Sequence, residues 1–387
     1  MTESQKAKYR VAVIGVGRQG THHARAYALH PSTEVVAAAD TDAENLALFC
    51  ERFNITTGYD SYEQMFQKEQ IDIAAPVLPV RANADAVVAS AEAGVKAVFC
   101  EKPLAGSLKD ADRMVEACQS RGIPFVAGLV ARNYPDYWQA RDFLESGVLG
   151  EVHSINVYDG NGQGGCHGIN LARHFAGDAE VDWVVGWVDG DPFSDYQEGH
   201  SNGEKGFGGI SGYLRFSNGL ECFSRIQGTM SKLEVICNRG ILSNEGNTWN
   251  GLHILKAPDS VARWALTDLQ EIKGILPAPF PTERRYDDEG WMYPGHGIMA
   301  SVQALVDTLE TGERLKCSTG EDLRKALEIC IALRESHRQN HAPVKLPLAD
   351  RSLKMYPVKG RWHYKKEVHG AKWYREAMTQ HKKASGG

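Results

Sequence analysis

The chain has 387 residues, 42% of them hydrophobic, 24% charged and 9% aromatic, a composition that excludes a disordered or fibrous protein and leaves room for two domains with their own cores. Lys and Arg number 43 against 49 Asp and Glu, and the formal net charge of −6 speaks against nucleic acid and anionic membranes as partners. The first ten residues run directly into a strand-like stretch with no apolar leader, and no apolar run approaches the ~18 residues of a membrane span, so a cytoplasmic protein is expected. Eight cysteines, at 50, 100, 118, 166, 222, 237, 317 and 330, form no CxxC pair; reduced, mostly buried thiols and no metal site are expected.

From residue 9 to about 130, short apolar runs alternate with longer amphipathic ones. Runs 10–14, 34–40, 71–77, 95–100 and 124–129 read as strands, and 19–29, 42–53, 60–68, 81–93 and 107–121 as helices. Val11-Ala12-Val13-Ile14 and Ala97-Val98-Phe99-Cys100 are continuously apolar, as strands buried on both faces must be, so an α/β domain with a helix-covered parallel sheet follows. Asp60 with Glu63 and Ser107 with Asp110 have the spacing of capping boxes. Beyond 130, a helix at 137–146 leads into strand-like pieces at 151–158, 181–189, 209–216, 219–227, 231–237 and 240–244, with turn signals such as Ser217-Asn218-Gly219. These predict an α+β domain built on an open, mainly antiparallel sheet. Helices at 297–311 and 319–339 follow, the second opened by Ser318 with Glu321. The expected organisation is 1–130, 131–350 and a basic, aromatic tail at 351–387 that lies on a neighbouring subunit or on its own surface.

Gly15-Val16-Gly17-Arg18-Gln19-Gly20 is a GxGxxG that follows a strand and opens a helix, and Asp40 ends the next strand 20 residues after Gly20. In that pattern Gly15 makes the tight turn, Gly17 admits phosphate to the backbone and Gly20 lets the helix sit close to the sheet, while Asp40 reaches a ribose hydroxyl. NAD is favoured over NADP, because Asp40 repels a 2′-phosphate and Thr41-Asp42 offers no Arg; Arg18 alone could face a phosphate, and it is counted with Gln19 among the cofactor-binding residues.

With these motifs, Glu101-Lys102-Pro103 inside AGVKAVFCEKPLAGSLKDADRMV, the segment RNYPDYWQARDFLESGVLGEV and STGEDLRKALEICIALRESHRQNHAPVKLPL near the end, the chain resembles the Gfo/Idh/MocA family of NAD(P)-dependent sugar oxidoreductases. The resemblance implies a Rossmann domain, a second domain with an open sheet whose face commonly makes the oligomer contact, and an active site between them. Lys102 is then the catalytic cation near the reacting hydroxyl, and Glu101 lines the cofactor side. The family's Asp-x-Gly-x-His signature, usually followed three residues later by Asp, aligns here with Gln163-Gly164-Gly165-Cys166-His167 and Asn170. His167 remains as the proton acceptor, and both carboxylates are amides. Gln163 and Asn170 suit hydrogen bonding to an uncharged polyol, and an alternative register gives the role to His174. Pro79 and Asn83 flank the expected nicotinamide edge, Asn83 standing where the family commonly has His, with Arg81 an extra cation between them. Arg132, Asn133 and Tyr134 occupy positions that often line the sugar pocket. His200 and His296 are candidates to cap the cleft.

The expected activity is NAD-dependent oxidation of a secondary hydroxyl of a sugar, glycoside or polyol. An alternative uses the same chemistry without net redox, cleaving a glycoside by transient oxidation, elimination and re-reduction. A third class, a non-catalytic NAD-dependent regulator, is disfavoured by the retention of both Lys102 and His167. No Ser-His-Asp spacing, HExxH or EF-hand pattern occurs.

Overall fold

A computed structural model describes residues 7–128, 131–158, 166–194, 207–225, 232–244, 251–261, 263–276 and 296–356. Strands β1 (Tyr9–Ile14), β2 (Thr33–Ala39), β3 (Gly58–Tyr59), β4 (Ile73–Pro76), β5 (Ala97–Cys100) and β6 (Phe125–Ala127) form a parallel sheet of order β3-β2-β1-β4-β5-β6. The order reverses between β1 and β4, and in open α/β sheets ligands bind at the carboxyl ends of the strands at such a reversal. Helices α1 (Arg18–Leu29), α2 (Ala43–Phe53), α3 (Tyr62–Lys68), α4 (Val80–Glu92) and α5 (Leu108–Gln119) connect the strands. The continuously apolar runs at 11–14 and 97–100 are buried along their whole length. The two-residue β3 was not anticipated, since so short a segment carries no period. Ser107 caps α5 as its spacing suggested, whereas α3 is capped by Ser61, one residue after Asp60.

Beyond a 3-10 turn at Ala131–Asn133 come α6 (Pro135–Glu145), β7 (Val152–Tyr158), α7 (Cys166–Phe175), β8 (Val181–Gly190), β9 (Phe207–Phe216), β10 (Glu221–Arg225), β11 (Lys232–Cys237), β12 (Gly240–Asn244), β13 (Leu252–Lys256), β14 (Gln270–Glu271), α8 (His296–Thr311), α9 (Gly320–Arg338) and β15 (Val344–Lys345). The second sheet has the order β14-β13-β12-β11-β7-β10-β9-β8-β15, antiparallel throughout except where β10 runs parallel to β7. The hairpin from β9 to β10 turns at Ser217-Asn218-Gly219, with Gly219 at φ 89°. Helix α7 escaped the sequence reading because Gly168 to Phe175 are all buried, which removes the polar face that reveals a helix. Helix α9 is capped by Thr319 with Asp322, one residue later than Ser318 with Glu321.

One face of this sheet is covered by α7 and α9, as where the Gly186 N–H donates to Ser336 Oγ at 3.0 Å. The other face carries Trp183, Trp187, Tyr213 and Phe223; Trp187 and Phe223 are 43% and 44% exposed. Two later segments return to the first sheet. Ile298, Val302 and Leu305 of α8 share a core with Val11, Val13 and Phe99, and residues 351–356 run beside α5. Among the described residues no helix is long and apolar enough to cross a membrane, and no cluster of His, Cys, Asp and Glu could hold a metal. All eight cysteines are free, and seven are buried.

Candidate active site

Gly15 follows β1 at φ 89°, and a Cβ there would stand 2.5 Å from the Val77 carbonyl oxygen after β4, so only glycine makes this turn. Gly20 packs α1 directly on the Gly15 carbonyl. Gly17 is the N-cap of α1, with no side-chain cap and no acidic residue in the first turn, which leaves the helix N-terminus open to an anion. Arg18 is half-buried and Gln19 exposed on that turn. Asp40 lies just past β2; its Oδ2 accepts from the Val16 N–H and its Oδ1 from the Asp42 N–H, both at 2.8 Å. Those bonds hold the carboxylate against the glycine turn. The donor set fits a dinucleotide, with pyrophosphate at the helix end and ribose at Asp40.

Glu101 and Lys102 follow β5 at the same end of the sheet. Glu101 is buried; its Oε1 lies 3.0 Å from His23 Nε2 and 3.5 Å from Gln19 Nε2, and its Oε2 accepts from the Lys102 N–H at 3.0 Å. Burial opposes ionisation of Glu101, but the His23 hydrogen bond, the Lys102 charge and the Lys102 N–H outweigh it and hold the carboxyl below its ordinary value. Gln19 and His23 are four apart on one face of α1, so the helix that starts at the glycine turn also clamps the residue before Lys102. That role of His23 was missed; its only sequence signal is the i,i+4 spacing from Gln19.

His167 stands in the first turn of α7, within electrostatic reach of this pair. Loss of solvent around its ring, repulsion by Lys102 and a smaller opposite pull from Glu101 push its pKa down to about 3. The ring is therefore neutral near pH 7.

Other expected contacts have different partners. Asn83 is buried on α4 and donates to the Pro103 and Leu104 carbonyls at 3.1 and 3.3 Å, so it grips the loop after Lys102. Pro79 is the exposed N-cap of α4. Arg81 stacks on Tyr356, 4.1 Å from the ring centroid. Arg132, Asn170 and His174, expected to touch substrate, lie in the interior at 2%, 0% and 0% exposure. Arg132 pairs with Asp178 at 2.8 Å and Asp322 at 3.3 Å and donates to Asn170 Oδ1 at 2.9 Å. Asn170 Nδ2 donates to Ser318 Oγ at 2.9 Å. Asp322 also takes Arg173 at 3.0 Å; burial opposes its charge, yet the two guanidiniums hold its pKa down at about 2. Asn133 donates to Ser301 Oγ at 2.6 Å and accepts from the Ser318 N–H at 2.7 Å, joining α8 to the start of α9. His174 Nε2 bonds the Tyr137 carbonyl at 3.1 Å, and burial followed by Arg132 pushes its pKa down to about 3, so the alternative register places a core histidine. Tyr134 is buried near Gly297, its hydroxyl pKa raised by desolvation. Asn133 and Asn170 thus spend their amide groups on partners within the fold, whereas Arg132 Nε and His174 Nδ1 are buried without a hydrogen-bond partner. Gln163, His200 and the tail from 357 lie outside the described residues, and His296 opens α8.

Residues 9–129 match the family described as the oxidoreductase family, NAD-binding Rossmann fold. Over 148 residues the chain is 27% identical to myo-inositol 2-dehydrogenase of Thermotoga maritima, covering 38% of this chain and 44% of that protein. Over 146 residues it is 30% identical to 2,7-anhydro-N-acetylneuraminate hydratase of Escherichia coli, covering 38% of each. The match thus spans less than half the length of these curated relatives. Levoglucosan dehydrogenase, solved with NADH and L-sorbose, superposes with a TM-score of 0.69 at 19% identity over 88% of this chain and 99% of that one, and so shares the fold.

Proposed function

We propose, on the premise of the match of residues 9–129 to the oxidoreductase family with an NAD-binding Rossmann fold, that the chain is a Gfo/Idh/MocA-type NAD-dependent oxidoreductase acting on a secondary hydroxyl of a sugar, glycoside or polyol. One observation carries the reading: Glu101 is bonded at once to α1, which opens on the glycine turn, and to the backbone of Lys102, whose charge in turn acts on His167. Glycine turn and Lys102 loop are therefore held in one frame, and the electrostatic pull on His167 supports adding the imidazole to it. When bound, NAD supplies the hydride acceptor. A neutral ring nitrogen of His167 takes the hydroxyl proton, and the Lys102 ammonium stabilises the alkoxide as it forms. Gly15, Gly17, Gly20 and Asp40 hold the dinucleotide, with Arg18, Gln19 and Pro79 at the rim of that site. Gln163 contacts the substrate, which the amide suits if that substrate is uncharged, and Tyr134 borders the pocket.

A second, redox-neutral reading draws support from the relative named as a hydratase, a reaction without net oxidation. Purified protein incubated with NAD and a panel of hexoses, inositols and glycosides separates the two at 340 nm. Steady NADH accumulation supports the dehydrogenase; turnover of a glycoside without NADH supports the alternative. No turnover of any of them, with Lys102→Ala indistinguishable from wild type, refutes both.

The aromatic face of the second sheet pairs two copies of the chain in this reading, since exposed Trp187 and Phe223 on one open sheet form an apolar surface that a monomer rarely leaves uncovered. Light scattering of wild type against Trp187→Glu/Phe223→Glu tests it, a monomeric wild type being the adverse result. The free cysteines suit a reducing, cytoplasmic compartment.

A further inference from the structure

Residues 351–356 cross from α9 to the loop that carries Lys102. On the α9 side, Arg351 pairs with Glu328, and Arg334 Nη2 donates to the Lys354 carbonyl at 2.8 Å. On the loop side, the Leu108 N–H donates to the Leu353 carbonyl at 3.1 Å, Lys354 bridges to Ser107, and the Met355 N–H donates to the Gly106 carbonyl at 2.6 Å. The Tyr356 ring lies so close on Gly106 that no Cβ fits between them. Its hydroxyl donates to Asp110 Oδ2 at 3.0 Å in the first turn of α5, and the Arg81 guanidinium stacks on the ring.

This segment closes a mechanical circuit. Helix α9 holds α7 through Asp322 with Arg173 at 3.0 Å, and the residue just before its cap, Ser318, accepts from Asn170 at 2.9 Å; α7 carries His167. The loop carrying Lys102 is pinned at Glu101 by His23, at Pro103 and Leu104 by Asn83, and at Gly106 to Leu108 by residues 353–356. The last of these ties the loop's far end to α9, the helix that holds α7, beside the pairing of Arg324 with Asp112 of α5 at 3.5 Å. We propose that Arg351–Tyr356 is a positioning strap for the reaction, and that Tyr356, packed on Gly106, sets the Lys102 ammonium against His167. The inference rests on the reading of those two side chains as the reacting groups.

Ring and hydroxyl are separable. Tyr356→Phe keeps the surface on Gly106 and beneath Arg81 and loses one hydrogen bond, while Tyr356→Ala leaves the loop uncovered. In the full-length protein Tyr356→Ala lowers kcat about 10- to 100-fold, the scale of a misplacement near 1 Å, with the KM for NAD little changed because the glycine turn and Asp40 are untouched; Tyr356→Phe restores most of kcat. A readout independent of turnover is trace acetylation of Lys102 by acetic anhydride, measured by peptide mass spectrometry against the exposed Lys109. The Lys102/Lys109 ratio moves severalfold in Tyr356→Ala and stays at the wild-type value in Tyr356→Phe. A folded Tyr356→Ala with unchanged ratio and unchanged kcat overturns the strap. Should wild type oxidise none of the panel, the functional reading fails and the ratio alone decides, a shift supporting the strap and constancy overturning it. If Tyr356→Ala does not fold, Tyr356→Leu takes its place under the same criterion.

Discussion

Nε2 of His23 lies 3.0 Å from Oε1 of Glu101, and this contact joins the helix opened by the glycine turn to the residue before Lys102. Both side chains are buried, His23 completely. Glu101→Ala therefore strands a buried imidazole nitrogen and the Lys102 N–H at once, a loss of about 1–3 kcal/mol. Calorimetry should show a Tm lower by several degrees; a Tm equal to wild type would mean that the contact contributes nothing.

Lys102 and His167 are coupled through charge. Lys102→Met removes the repulsion that adds to burial, so the His167 pKa rises from about 3 while staying below an ordinary histidine. Imidazole NMR titration of the two proteins reads the shift directly. In the same variant kcat falls about 10²–10⁴-fold if the ammonium assists proton transfer. A His167 that titrates identically in both proteins would separate the two groups and end the proposed partnership.

Acid stability is set partly by His174. Its pKa is about 3 in the fold against about 6.5 unfolded. Below about pH 6.5 the unfolded chain binds a proton that the folded one refuses, so this residue's contribution is full above that pH and is lost as pH falls toward 3. The limiting slope is about 1.4 kcal/mol per pH unit. Urea midpoints of His174→Phe should decline less between pH 7 and pH 4 than those of wild type, and parallel declines would contradict the assignment.

Asn133 and Asp40 separate structure from binding. Asn133→Ala breaks the links to Ser301 and Ser318 and costs about 1–3 kcal/mol of stability with KM for the sugar unchanged. Asp40→Ala loosens the Val16 turn and raises the Kd for NADH at least about tenfold, or 1.4 kcal/mol, by fluorescence titration. A sugar KM that rises sharply in Asn133→Ala would return that residue to the substrate pocket.

The alternation of buried strands and amphipathic helices, the glycine turn and the Glu-Lys-Pro step were legible in the residues themselves, because each is local: a period, a φ above zero at Gly15, a carboxylate one strand further on. So were the hairpin at Asn218-Gly219 and the cap at Ser107. What only the tertiary structure decided is which polar residues remain free. Arg132, Asn133, Asn170 and His174 look like ligand contacts in one dimension, and only the packing of α6, α7, α8 and α9 shows that they also bond Asp178, Asp322, Ser301, Ser318 and Tyr137 within the fold. Helix α7 was hidden for a related reason, since a helix buried all round has no polar face to mark its period. Local chemistry is written in neighbouring residues, whereas hydrogen-bond satisfaction is settled between residues far apart in the chain, such as Asn133 and Ser318, separated by 185 positions.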